Sequence, residues 1–201
     1  MPRAALARLA NYSVRRLLAG LGGGALVRFL NHYFPQLRLD VVEIDPLVVR
    51  VAREFFGTIA GPRTRVFIAD GRDHLRQTAE RYDLILLDAH LPPGERTDST
   101  GHPLNLKAEA FYRSLHQRLR PGGGVLFNVI EGRDSDVYVA GIRAAFGAAE
   151  VFRPPSSGNA ITVTAKMAKV YSPVMDLAMP MGRKPAAVIS VPVSMGLAVI
   201  S

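Results

Sequence analysis

Three carboxylates and a run of glycines are spaced as a nucleotide-type site would need them. In Leu17-Leu-Ala-Gly-Leu-Gly-Gly-Gly24 a short apolar run breaks into glycines, and helical apolar spacing takes over at Ala25, Leu26, Phe29 and Leu30. A buried strand turning tightly into a helix reads this way. Glycines at 20, 22 and 24 permit positive φ and let a ligand approach without a Cβ in the way. The helix start offers unpaired N–H groups to a polar or anionic ligand group. Glu43 follows Gly22 by 21 residues, where a carboxylate accepts two hydrogen bonds from a vicinal diol such as that of ribose. Asp70, beside Gly71, is placed to accept from an exocyclic amine, and Asp88 would face the reacting centre. The plainer reading of both Asp residues is as helix or loop caps. The glycine turn and Glu43 do not by themselves choose between NAD and an adenosyl cofactor.

These residues need a frame that brings them to one edge. The sequence predicts strands at about Val14–Leu21, Leu37–Ile44, Arg65–Ala69, Tyr82–Leu87 and Val125–Ile130, the last after a Pro121-Gly-Gly-Gly124 turn. A closing pair, Glu150–Arg153 and Ala160–Ala165, flanks Pro154-Pro-Ser-Ser-Gly-Asn159 and reads as an antiparallel hairpin. Helices are expected over 3–11, from Ala25 to about Tyr33, from Asp45-Pro46 to Gly57, and over 72–79, 106–119 and 134–146. Asp45 serves as N-cap, Pro46 as first helical residue, and Val48, Val49, Ala52 and Phe56 as the apolar face. Alternating strands and helices imply an α/β fold, a mostly parallel seven-stranded sheet with helices on both faces and a C-terminal antiparallel hairpin. Ligands bind such sheets at the carboxyl ends of the strands. Gly22, Glu43, Asp70 and Asp88 all fall on that edge.

Composition narrows the classes. The chain has 201 residues, enough for one domain with a sizeable core, and 48% apolar with 21% charged residues is globular composition. With no cysteine, disulfides, thiolate metal sites and cysteine nucleophiles are excluded. The net charge of +8 comes mostly from scattered arginines, so nucleic acid is not the expected partner. No uninterrupted apolar stretch of membrane-spanning length and no adequate signal-peptide core are seen, so the expectation is a cytoplasmic protein without a membrane partner. Residues 1–13 form a short N-terminal helix in this reading, 14–166 the binding domain, and 167–201 a methionine-rich C-terminal extension of unassigned role.

Gly20-Leu-Gly-Gly-Gly24, Val42-Glu-Ile-Asp45, Ala69-Asp-Gly71 and Tyr82-Asp-Leu-Ile-Leu-Leu-Asp88, in this order and spacing, resemble the spermidine synthase-like group of class I S-adenosylmethionine-dependent transferases. That group includes polyamine aminopropyltransferases and an N-terminal methyltransferase domain acting on a translation elongation factor. The resemblance covers about Val14 to Lys166 and implies a Rossmann-like class I methyltransferase fold with S-adenosylmethionine as cofactor. It implies that Gly20, Gly22 and Gly24 wrap the methionine part, with Gly23 and Ile44 beside the cofactor. Glu43 would hold the ribose, and Asp70 and Gly71 would border the adenine. Asp88, also against the cofactor, matches the acid that helps deprotonate the attacking amine, since an ammonium is not a nucleophile.

Two departures bear on the reaction. Aminopropyltransferases resemble Asp-Ser-Ser-Asp-Pro at this strand end, with the second acid gripping the diamine; here Asp88-Ala-His-Leu-Pro92 puts Leu91 in its place. A diammonium would lose a charge-assisted bond of roughly 1.5–3 kcal/mol. The family's N-terminal β-domain is also expected to be absent, because the first strand begins at about Val14. The leading expectation is therefore a methyltransferase acting on a small-molecule or protein amine, with a homodimer allowed. The alternative is a polyamine-biosynthetic aminopropyltransferase using decarboxylated S-adenosylmethionine, with Glu95 or Asp98 supplying the missing acid. A non-catalytic cofactor-binding module comes third and an NAD dehydrogenase last. His90, on the loop after Asp88, is the candidate substrate contact; the plainer reading makes His90 and His102 surface histidines. No metal spacing is recognised. Phe111 and Tyr112 read as helix core, and Asn128 as a residue that could face substrate.

Overall fold

The computed structural model describes residues 14–58, 60–153 and 160–166. The helix expected over 3–11, the hairpin turn at 154–159 and the extension from Met167 lie outside these residues. In chain order the elements are β1 (Arg15–Ala19), α1 (Ala25–Tyr33), β2 (Arg38–Glu43), α2 (Pro46–Phe56), β3 (Thr64–Ile68), α3 (Gly71–Gln77) and β4 (Tyr82–Leu87). A 3-10 turn (Leu104–Lys107) then leads into α4 (Glu109–Arg118), β5 (Leu119–Ile130), α5 (Ser135–Phe146), β6 (Ala149–Phe152) and β7 (Ala160–Lys166). They build one α/β sheet in the order β3-β2-β1-β4-β5-β7-β6. β1 to β5 are parallel, and β7 runs against both of its neighbours. Strand order reverses between β1 and β4, so a crevice opens at their carboxyl ends.

The central strands are apolar almost throughout because both faces are covered. Leu17, Ala19, Ile85, Val125 and Phe127 share a core with Leu75 of α3, Phe111 and Leu115 of α4, and Ile142 and Phe146 of α5. Leu18 and Val41 are equally buried and alternate to the opposite face. Phe111 and Tyr112 are core residues, as their helical spacing indicates.

Several boundaries differ from the sequence reading. β1, β2 and β3 each stop a residue or two short, because Gly20, Leu21, Ile44 and Ala69 leave the ladder to line the crevice. The helix expected over 106–119 is divided at Ala108 into the 3-10 turn and α4. Pro121 and the glycines do not precede β5 but bulge within it. The β4–β5 register jumps from Tyr82↔Leu119 to Leu84↔Gly124. Of the apolar face assigned to α2, only Ala52 is buried; Phe56 is 45% exposed, and Val48 faces the crevice. α2 stands at the mouth of the site, so its N-terminal half borders a cavity instead of core.

A buried ion network at the amino ends of the strands was not legible in the sequence. Asp40, in the middle of β2, is 2% exposed. It accepts two hydrogen bonds of 2.8 Å from Arg65 and one of 3.1 Å from the Tyr82 hydroxyl, with Arg15 at 3.6 Å. Glu80 also pairs with Arg15 and Arg65, so removing Asp40 leaves the arginines a partner but takes the charged acceptor from Tyr82 and the bidentate contact from Arg65. Asp40→Ala is expected to lower the unfolding free energy by about 3 kcal/mol, the scale of one or two hydrogen bonds to a charged group, measured by urea denaturation. A loss under about 1 kcal/mol, the scale of a single ordinary hydrogen bond, would show that the cluster is not a stabilising centre.

Candidate functional site

Gly20 follows β1 and is pressed against the end of β4. Its N–H donates to the Val42 carbonyl at 2.9 Å, and the Asp88 N–H donates to the Ala19 carbonyl at 2.8 Å. Gly20 has φ 99°, and a Cβ there would sit 2.1 Å from the Asp88 carbonyl oxygen. Only glycine closes this junction without displacing Asp88. Gly24, with φ 73°, caps α1 and is held by packing instead: a Cβ would lie 2.0 Å from Thr58 Oγ1. Gly20 and Gly22 line the crevice, whereas Gly23 and Gly24 lie behind it and brace the turn.

Glu43 ends β2 and has a structural task beside the one its position suggested. Its Oε2 accepts from the Leu21 N–H at 2.9 Å and its Oε1 from the Asp45 N–H at 3.0 Å. The carboxylate thus ties the glycine turn to the start of α2. Each oxygen keeps a second lone pair, so the diol-accepting role remains open to it. Asp70 is a helix cap, as its plainer reading has it. Its Oδ1 accepts from the N–H groups of Arg72 and Asp73 at 2.8 and 3.3 Å, which caps α3, and the residue also borders the crevice. Ile44 and Gly71 border it too.

Asp88 opens the long loop after β4. Its Oδ1 accepts from Asn128 Nδ2 at 2.7 Å, and His90 Nδ1 stands 3.6 Å from the same oxygen. The sequence marked Asn128 only as a substrate-facing candidate; the signal was an amide interrupting the apolar run of β5. His90 lines the crevice and is half-buried. Burial lowers its pKa below the ordinary histidine value, against the pull of Asp88 and Asp98. Its ring lies 4.3 Å from that of His102.

His102 is not the surface residue that a polar loop suggests. It is 5% exposed, and its Nε2 accepts from the Ile130 N–H at 3.1 Å, so the neutral ring pins the loop to the end of β5. The loop's interior is organised by Asp98, whose Oδ1 accepts from the Thr100 N–H, the Thr100 hydroxyl and the His102 N–H. Lys107 pairs with its other oxygen. Burial would raise the Asp98 carboxyl, but Lys107 and these donors outweigh it and hold it below the usual carboxylate range. With both oxygens engaged by Lys107 and its own loop, Asp98 is not among the described residues that line the crevice. Glu95 does line the crevice, as does Leu91 itself.

Burial, with His90 and Lys107 nearby, pushes His102 down to about 4 from 6.5, against the pull of Asp98. A depressed histidine contributes stability that is lost as pH falls from the unfolded value towards the folded one. Unfolding temperature is expected to drop between pH 6.5 and 5, and the drop to be smaller in His102→Leu, which has no proton to take up. An identical slope in the two proteins would remove His102 from the account.

The crevice has a volume of about 1160 Å³. Its polar wall carries Glu43, Asp45, Asp70, Asp88 and Glu95, and its loop wall carries Leu91, Pro92, Pro103, Leu104 and Leu106. Arg96 is the sole arginine or lysine among the described lining residues, and its side chain is in no ion pair with another described residue. No group of three or more His, Asp or Glu side chains among the described residues is placed to hold a metal ion. A carboxylate with lone pairs to spare, a close backbone approach at Gly20 and an apolar wall have the chemistry to take an adenosyl group, and Asp88 lies on the same wall.

Residues 11–131 match the family model described as spermine/spermidine synthase domain. The chain is 34% identical over 136 residues to the mouse eEF1A lysine and N-terminal methyltransferase, covering 65% of this chain and 19% of that one. It is 32% identical over 155 residues to the polyamine aminopropyltransferase of Vibrio vulnificus, covering 75% of this chain and 50% of the relative. The chain thus spans about a fifth to a half of the length of these relatives. The crystal structure of human methyltransferase-like protein 13 in complex with SAH superposes with a TM-score of 0.71 at 28% identity, over 94% of this chain and 96% of that one.

Proposed function

Because the chain belongs to the spermine/spermidine synthase domain family, we propose that it is an S-adenosylmethionine-dependent methyltransferase acting on an amine of a protein or small molecule. Its catalytic domain in this reading is residues 14–166. When bound, the cofactor supplies a methyl group on a sulfonium, and the chain's task is to orient, desolvate and deprotonate the acceptor. Glu43 holds the ribose diol while bracing the glycine turn, and Asp70 and Gly71 border the adenine. Asp88 orients the acceptor nitrogen and takes the proton it releases. Positioning then supplies much of the acceleration, since displacement at the methyl needs chiefly an in-line approach.

The observation that carries methyl over aminopropyl transfer is the loop wall. Leu91 lines the crevice where a diamine-gripping acid would be needed, and Asp98 is consumed by Lys107 and its own loop. Arg96 supports the same reading. The two cofactors differ by one carboxylate, and this is the one permanent cation on the described wall. Calorimetric titration is expected to show S-adenosylmethionine bound at least about tenfold more tightly than its decarboxylated form, the value of one charge-assisted hydrogen bond. Arg96→Met should shrink that preference. A preference for the decarboxylated ligand would restore aminopropyl transfer, with Glu95 as the diamine's acid. Saturable binding without transfer to any amine would leave a cofactor-binding module.

A further inference from the structure

We propose that Asn128 is a positioning residue, acting on the acceptor through Asp88; this rests on the methyltransferase reading above. The Asp88 main chain is fixed by its N–H bond to Ala19. Its side chain is 42% exposed and would by itself sample several rotamers. Among the described residues Asn128 Nδ2 makes the one hydrogen bond to this carboxylate, at 2.7 Å on Oδ1. His90 Nδ1 faces the same oxygen at 3.6 Å, beyond hydrogen-bond distance. Oδ2 has no partner.

The sheet register makes this pairing. Leu87 of β4 lies opposite Phe127 of β5, so the next residues, Asp88 and Asn128, meet just past the ladder. Phe127 and Val129 are fully buried, and strand alternation turns Asn128 to the other face. The choice of an amide has chemical sense. Asn128 donates to the carboxylate without carrying charge and without competing for the proton. With Oδ1 held, Oδ2 is left to face the acceptor: the ammonium proton passes to it, the nitrogen lone pair is freed, and the new C–N bond forms as the C–S bond breaks, with sulfur keeping the electron pair. A misplacement of about 1 Å in such a group costs roughly a hundredfold in rate.

The test uses the full chain, with a synthetic peptide bearing a free α-amine and one lysine as the amine probe. Asn128→Ala should lower kcat about 10- to 100-fold, with the cofactor Kd and the peptide KM within about threefold. Asn128→Asp keeps the volume but repels Asp88, and should lose at least as much while remaining folded. In an Asp88→Asn background Asn128→Ala should cause no further loss. An equal loss in both backgrounds, or an unchanged kcat, would overturn the proposal. Crystal structures of wild type and Asn128→Ala with S-adenosylhomocysteine give a readout that needs no turnover. The Asp88 carboxylate should change rotamer in the variant, and an unmoved carboxylate overturns the assignment. If wild type methylates no amine of the peptide yet Asp88 moves in the variant, the positioning contact stands and the choice of acceptor is what fails. If S-adenosylhomocysteine does not bind, the functional reading itself fails.

Discussion

Asp88→Asn is expected to reduce kcat for methyl transfer by about a thousandfold, the middle of the range for removing a general base. The cofactor Kd should change by less than about threefold. The substitution is nearly isosteric, and the new amide oxygen still accepts from Asn128, so the loop and the β4–β5 junction are retained. What is lost is the capacity to take a proton and the charge that attracts an ammonium. Single-turnover kinetics with excess enzyme separate this from slow product release. If kcat falls less than about fivefold, deprotonation occurs in solution before binding, and Asp88 serves only to shape the site. His90, with its pKa lowered by burial, would then be the next base to test by His90→Asn.

Glu43→Ala is expected to weaken S-adenosylmethionine binding at least about a hundredfold, since two charge-assisted bonds to a diol are worth roughly 1.5–3 kcal/mol each. It should also lower stability by about 1–2 kcal/mol, because the Leu21 and Asp45 N–H groups lose their acceptor. Leu21 is buried, so water replaces that acceptor poorly. The two effects can be separated. Glu43→Gln keeps one oxygen for the backbone but turns a donor towards the other N–H, so it should recover part of the stability and little of the affinity. Calorimetry on folded variants, with circular dichroism melts in parallel, measures both. An affinity loss that tracks the stability loss across the two variants would mean that Glu43 only braces the turn. An undiminished affinity in either variant would move the ribose contact elsewhere.

Much of this was legible before any coordinates because it is local. The glycine turn, the Asp45-Pro46 helix start and the Asp70 cap are set by backbone preferences within a few residues. Strand periodicity and the alternation with helices then set the sheet and bring Gly20, Glu43, Asp70 and Asp88 to one edge. Where the sequence reading slipped, a distant partner had intervened. The apolar spacing of α2 does not tell a core from a cavity wall, and the polar loop around His102 suggests a surface residue although its ring is buried.

The sequence by itself determined the elements, their order, and the chemical types standing at the strand ends. Only the tertiary structure decided which side chains meet. Asn128 reaches Asp88 across 40 residues, Arg65 reaches Asp40 across 25, and His102 accepts from Ile130 across 28. Each pairing depends on inter-strand register and on how a loop closes, and the free energy that selects them is spread over the packed core. No residue's own preference carries that information, whereas a strand ending in an acid does so within the span of its own turn.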